Sequence, residues 1–267
     1  MNDFLTEPGQ SNVIEILGVK VNPLSILQLN RSISEAINHG HKWIISNHNL
    51  HSVYIYHHQS KMRDFYAKSK YVHIDGMALI FLGKILGFPL QREQRVTYVD
   101  WTNPLMAEAV KSGWRIFYLG SKPGIAEQGA KILRTRFAGL QIVTAHGYFN
   151  TDRNSVENLK ILAKINDYQP QIVMVGMSMP RQEKWIVDNL DRLDTNVILP
   201  CGATLDYVAG AIPTPPRWAG QIGLEWLFRL ISDPERLWRR YLVEPWFLLW
   251  LLLVDGIKKI KKNWINH

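Results

Sequence analysis

Residues 114–149, WRIFYLGSKPGIAEQGAKILRTRFAGLQIVTAHGYF, read as strand, helix, strand. The outer segments are short apolar runs, while GIAEQGAKILRTRF (124–137) spaces its apolar residues for one face of a helix. The unit continues downstream with helix NSVENLKILAKIN (154–166), strand QIVMVGM (171–177), helix PRQEKWIVDNL (180–190) and strand NVILP (196–200). Strands separated by helices of this length predict a mostly parallel sheet covered on both faces, and hence an α/β fold.

Working outward, VIEILGVKVN (13–22) gives two short strands broken at Gly18, and Pro23 opens a helix that stops near Gly40. WIISN (43–47) is an apolar strand, NLHSVYIYHH (49–58) and KMRDFYAKS (61–69) are helical by spacing, and YVHID (71–75) is a strand closing on Asp75 and Gly76. Helix ALIFLGKIL (78–86), a link QREQRVTYVD (91–100) and helix NPLMAEAVKS (103–112) follow. The alternation ends at a proline-rich joint, Ile212 to Pro216, which divides the chain into a core, 1–212, and a C-terminal helical appendage, 213–267.

The appendage has a composition of its own. Arg217, Arg229, Arg236, Arg239 and Arg240 recur among Trp and Leu residues, and the apolar run Trp246 to Val254 leads into Lys258, Lys259, Lys261 and Lys262. Half of the chain's net charge of +8 falls after Trp226. Nine helical residues rise about 13 Å against a hydrocarbon core of about 30 Å, so the run is too short to span a bilayer. It suits either an ordinary buried helix or an interfacial one. Arg236, Arg239 and Arg240, at helical spacing beside a polybasic end, favour the interface of an anionic membrane over nucleic acid. The run could also pack against another copy of the chain. Cys201 is the only cysteine, so no internal disulfide is expected. The first residues, MNDFLTEPGQSN, do not read as a secretory signal. Both point to an intracellular chain that meets a membrane from the cytoplasmic side.

Open parallel sheets bind ligands beyond the carboxyl ends of their strands. The polar residues there are Asn47 and Asn49, Asp75, the loop Gly120 to Gly124, Ser178 to Gln182, and Gly202, Thr204 and Asp206. Asp75 is placed as a general base, or else as the cap of the following helix. LGSKPG (119–124) is a candidate phosphate cradle or a plain tight turn, and it matches neither GxGxxG nor the P-loop pattern. Seven of the nine histidines lie between His39 and His73, but without HExxH or a suitably spaced carboxylate no metal site is expected. Nor is there an Asp-x-Asp pair to hold a divalent ion on a diphosphate.

IDG at Asp75, RVT at Arg95, YLGSKPG at Tyr118, MVGMSMPRQEKWI at Met174, CGATLDYVAGAIPTPPRW at Cys201 and GLEWLFRLISDPERLWRRY at Gly223 together resemble the WecG/TagA/CpsF glycosyltransferases, glycosyltransferase family 26. The resemblance runs from about Ile14 to about Tyr241. It implies a Rossmann-like core and an appendage that docks on the cytoplasmic face of a bacterial plasma membrane and completes the active site. The implied reaction is inverting and metal-independent, with no cofactor: a sugar passes from a UDP donor to a polyprenyl-diphosphate-linked sugar. By matching motifs, Asp75 would be the general base. Asn49, Arg95 and Gln182 would hold the donor sugar, with Asn47, Gly120, Ser121 and Gly202 also in the substrate site. Asp206 would contact uracil, and Arg229, Arg236 and Arg239 would meet the donor diphosphate.

The sequence departs from the family pattern at one place. Members using N-acetylmannosamine carry Thr where Asn47 aligns, and the usual Pro-Glu after Asn49 is Leu50-His51 here. The departure favours a glucose donor, as in GumM-like members of exopolysaccharide synthesis, over N-acetylmannosamine or its uronic acid. A non-catalytic membrane-surface module sensing a nucleotide or lipid phosphate is the reading from another class.

Overall fold

The computed structural model describes residues 13–214, 218–219 and 224–265, except for the side chains of Glu225, Arg236 and residues 255–265. It is an α/β fold. Strands β1 (Ile14–Ile16) and β2 (Val19–Val21) form an antiparallel hairpin. The main sheet contains β3 (Trp43–His48), β4 (Ser69–Ile74), β5 (Arg115–Gly120), β6 (Gln141–Ala145), β7 (Ile172–Gly176) and β8 (Val197–Pro200), in the order β4-β3-β8-β7-β5-β6. Every pairing in it is parallel.

The four apolar runs read first are thus four adjacent strands. Alternate residues serve opposite faces: Phe117 and Leu119 enter one apolar cluster, Ile116 and Tyr118 the other. Helices α2 (Leu50–His58), α3 (Ser60–Lys68), α4 (Met77–Ile85), α7 (Val156–Tyr168) and α8 (Arg181–Asn189) contribute to the first cluster; α1 (Ile26–Asn38), α5 (Tyr98–Ser112) and α6 (Ile125–Arg136) to the second. Burial on both faces is why these strands read as continuous apolar runs rather than alternating ones.

Helix α1 begins at Ile26 with Ser25 as its cap rather than at Pro23, and two boundaries differ by four or five residues from the sequence reading. Helix α5 begins at Tyr98, inside the expected link, because Thr97 Oγ1 donates to Asp100 Oδ2 at 2.9 Å and the turn buries Tyr98 and Trp101. Strand β6 stops at Ala145 rather than running to Phe149. There the chain turns inward, the Gly147 amide bonding Ser121 O at 3.0 Å, and a side chain at Gly147 would collide with Met177.

The short helix α9 (Thr204–Val208) follows β8, and beyond it lie α10 (Glu225–Ser232), α11 (Pro234–Trp238), a π turn (Arg239–Val243) and α12 (Glu244–Ile265). Helix α12 lies against α2: Leu248 is buried in the first cluster, and Phe247 meets the rings of Tyr54, His57 and His58. Its other face leaves Trp246, Leu249, Trp250 and Leu253 exposed, at helical spacings of three and four. No helix among the described residues is long and apolar enough to cross a membrane. Pro215 and Pro216 of the joint, Arg217, and the side chains of Lys258, Lys259, Lys261 and Lys262 lie outside the described residues.

Candidate active site

The carboxyl ends of β4, β3, β8 and β7 stand side by side, and the polar residues after them surround a cavity of about 390 Å³. Asn47, Asn49, Asp75, Ser178, Gln182, Gly202 and Thr204 line it from the core. Tyr207 of α9 lines it as well, and Arg229, Arg239, Arg240, Tyr241 and Glu244 close it from the C-terminal side. A second cavity, also about 390 Å³, adjoins it between α4 and the C-terminal helices. Asn49, His51, Asp75, Arg229, Arg240 and Tyr241 line both, so Asp75 stands where two small-molecule-sized spaces meet.

The position of Asp75 follows from its neighbours. Its amide donates to His48 O at 2.8 Å, continuing the parallel ladder one residue past β4. Gly76 then turns the chain into α4 with φ +111°, a conformation side-chain-bearing residues rarely adopt. Asn47 and Asn49 both donate from Nδ2 to Asp75 Oδ2, each at 3.3 Å. Asn49 is aimed by its other end: its Oδ1 accepts the Ser52 amide at 3.0 Å while Ser52 Oγ accepts the Asn49 amide at 2.9 Å, a reciprocal N-cap of α2. Tyr66 OH holds Asn47 O at 2.8 Å. With two amides on Oδ2, Oδ1 is the oxygen left to a substrate.

Gln182 spans β7 and β8. Its Oε1 accepts the Gly202 amide at 3.1 Å and its Nε2 donates to Glu183 Oε1 at 2.8 Å. Burial pushes the Glu183 carboxyl up to about 7, the Gln182 bond offsetting part of that cost. Arg95 lines the second cavity alone, with Nη1 bonded to Asp100 Oδ2 at 3.1 Å. Val96 ties this segment to β4 through Ile74 O at 2.8 Å.

Gly120, Ser121 and Asp206 stand apart from Asp75 and line neither cavity. Ser121 Oγ donates to Asp206 Oδ2 at 2.7 Å and lies 3.1 Å from Tyr118 OH, which donates to Gly202 O at 3.3 Å. This group therefore reaches the first cavity through Gly202. Gly120 is required by close approach: a Cβ there would lie 2.3 Å from Gly176 O. Cys201 lines the first cavity, and burial pushes its thiol up, which keeps it protonated and unreactive.

On the C-terminal side, the π turn closes with the Glu244 amide on Arg239 O, and its first three residues, Arg239, Arg240 and Tyr241, line the cavity. Arg229 lies over the Tyr207 ring, 5.4 Å from its centroid. Burial holds the Arg240 guanidinium below its usual range; Arg229 adds repulsion, while Asp75 and Glu244 favour the charge. The side chain of Arg236 lies outside the described residues. Glu244 anchors the segment: His51 Nδ1 lies 2.8 Å from its Oε2 and 2.9 Å from its Oε1. Tyr241, Tyr207 and the His51–Glu244 pair are the site residues that sequence reasoning missed, and Arg240 was read there only as a contact for an anionic membrane. The paired residues are 193 positions apart, and nothing in local periodicity links them. For Arg240, its spacing of four from Arg236 was a usable signal.

The histidines disperse. His48 and His73 are buried, and burial lowers them to about 3 and 4, so both are neutral near pH 7. His57 bonds Leu17 O, and His39, His41 and Trp43 stack at the far end of β3. Among the described residues no group of three or more His, Cys, Asp or Glu could hold a metal ion.

A carboxylate held between two cavities, with guanidiniums closing one side, at the strand ends of a parallel sheet, is the constellation of a group-transfer enzyme working on a phosphate-bearing donor. The family model described as "Glycosyl transferase WecG/TagA/CpsF family" matches residues 14–262, and the chain belongs to that family. It is a glycosyltransferase, and membership implies a nucleotide-sugar donor and a sugar acceptor.

Proposed function

We propose that the enzyme moves a sugar, with inversion, from a UDP-sugar to a polyprenyl-diphosphate-linked sugar at the cytoplasmic face of a bacterial plasma membrane, in synthesis of exopolysaccharide or another surface polysaccharide. The observation that carries this reading is Asp75 on the wall common to both cavities. The donor occupies the first cavity, with its base toward Asp206 and its diphosphate toward Arg229 and Arg239. The acceptor reaches Asp75 from the second. Asp75 Oδ1 takes the proton of the acceptor hydroxyl, whose oxygen attacks the anomeric carbon from the face opposite the leaving group. The bond to the β-phosphate oxygen breaks, and UDP departs with the bonding pair as its added charge is met by guanidiniums. Fixed cations at that position supply what a divalent ion supplies elsewhere, which supports metal-independent turnover.

The exposed row Trp246, Leu249, Trp250 and Leu253, borne by a basic segment, supports docking of residues 213–267 on an anionic bilayer. The second amide at Asn47 and the replacement at His51 support glucose as donor, with N-acetylmannosamine or its uronic acid as the alternative. UDP release from a panel of UDP-sugars, with prenyl-diphosphate glucose and N-acetylglucosamine as acceptors, tests the proposal. Release from UDP-glucose that persists in EDTA is expected; no release from any donor, or strict dependence on a divalent ion, contradicts it.

A further inference from the structure

Helix α4 belongs to the core, yet part of its surface is unpartnered and apolar. Ala78, Phe81 and Ile85, at spacings of three and four, lie on its exposed side, with Phe81 48 % and Ile85 81 % exposed and Lys84 exposed beside them. Ala78 and Phe81 also line the second cavity, so this surface is continuous with the space that ends at Asp75.

That cavity is chemically two-ended. The residues it shares with the first cavity are polar or charged: Asn49, His51, Asp75, Arg229, Arg240 and Tyr241. Apart from Arg95, the residues it does not share are apolar or glycine. Met77, Leu79 and Leu248 are buried and form its floor, whereas Phe81 from α4 and Trp226 from α10 are exposed and form its rim. A ligand filling it has an anionic, hydroxyl-bearing end beside the arginines and Asp75, and a hydrocarbon end leaving between Phe81 and Trp226.

Resting on the reading of a lipid-linked acceptor, the geometry points to α4 as a second, core-borne contact with hydrocarbon: Phe81 and Ile85 form one lip, opposite Trp226, of a slot through which the acceptor's lipid chain passes from the bilayer to Asp75. The cations at the shared wall favour a phosphate-bearing lipid over a second copy of the chain, which would bring like charge to like. Lys84 on the outer side suits anionic headgroups. The slot also gives the membrane contact an orientation, since lipid lies on the appendage side and on the α4 side of one opening.

The test compares the full chain with the double variant Phe81→Ser/Ile85→Ser. Two readouts are taken: the ratio of kcat/KM for a long-chain prenyl-diphosphate sugar in phosphatidylglycerol vesicles to that for a short-chain, water-soluble analogue, and the affinity for a long-chain prenyl phosphate in the same vesicles. A fall of about ten-fold or more in both, with an unchanged melting temperature, is expected from loss of two apolar contacts. Both readouts unchanged overturns the inference, as does a variant whose only change is its sedimentation coefficient, since the lip would then face another copy. Should the unaltered protein transfer to neither acceptor yet show the Phe81- and Ile85-dependent affinity, the proposed reaction fails while this surface stands.

Discussion

The two sides of the site are built on different supports. On the core side, Asn47 and Asp75 stand at the ends of buried strands and Gln182 in the first turn of α8, and each is held by bonds to residues at the strand ends or to the α2 cap. On the other side, Arg229, Arg239, Arg240 and Tyr241 ride on short helices and a π turn whose outer surface exposes Ile231, Trp238, Leu242 and Val243. One side rests on strands buried on both faces; the other is amphipathic and is joined to the core by the Phe247 contacts, Leu248 and the His51–Glu244 pair. In the proposed reaction, the base that must be aimed, Asp75, sits on the support built from buried strands. The charges that meet the departing phosphate in that proposed reaction sit on the amphipathic one.

That contrast predicts an ordered series of losses. Replacing Asp75 by Ala removes the base and lowers kcat about 10³-fold, checked by steady-state UDP release. Replacing Arg240 by Ala lowers kcat about 10²-fold, and Lys restores little because a point charge lacks the planar fork. If Arg240→Ala instead changed only vesicle partition, the appendage would serve as an anchor and not as part of the site. The variants His51→Ala and Glu244→Ala each cost about ten-fold in turnover, and the double variant costs no more than either, a coupling of about 1–2 kcal/mol. Full additivity would break the link between appendage and core.

The smallest expected effect on turnover lies in the core. The Glu183 carboxyl, raised to about 7 in the fold, binds its proton more tightly there than in the unfolded chain. Its contribution is present below about pH 4.5 and is lost as pH rises through 7, an effect of up to about 3 kcal/mol. Thermal unfolding of Glu183→Gln should therefore show a flatter profile from pH 5 to 8, with kcat nearly unchanged; an unaltered profile would separate Glu183 from this dependence. His48 and His73 act oppositely. Lowered to about 3 and 4, they lend stability that is lost as pH falls below about 6.5.

The core side was legible in the sequence because its cues are local. Doubly buried strands read as apolar runs, and Asp75, Asn47 and Asn49 stand where such runs end. Even the cap that aims Asn49 is a spacing of three, Asn49 to Ser52. The loop LGSKPG was harder, since glycine signals close approach without naming the partner. At Gly120 that partner is the Gly176 backbone, and the loop's Ser121 is spent on Asp206. The appendage side was legible as composition but not as geometry. Its arginines were counted on one ideal helix face; Arg239 and Arg240 do line the first cavity together, but that they stand in a π turn, Arg239–Val243, and that Arg240 also lines the second cavity, no spacing announces. His51–Glu244 was invisible because it exists only once α12 lies on α2.

The most direct measurement is of UDP-sugar affinity and single-turnover transfer in Asp75→Asn, which keeps the shape of the side chain and removes its capacity to take a proton. The account predicts donor affinity within about two-fold of the unaltered enzyme and transfer slowed about 10³-fold. Transfer at the original rate, or loss of affinity in step with loss of transfer, would contradict it.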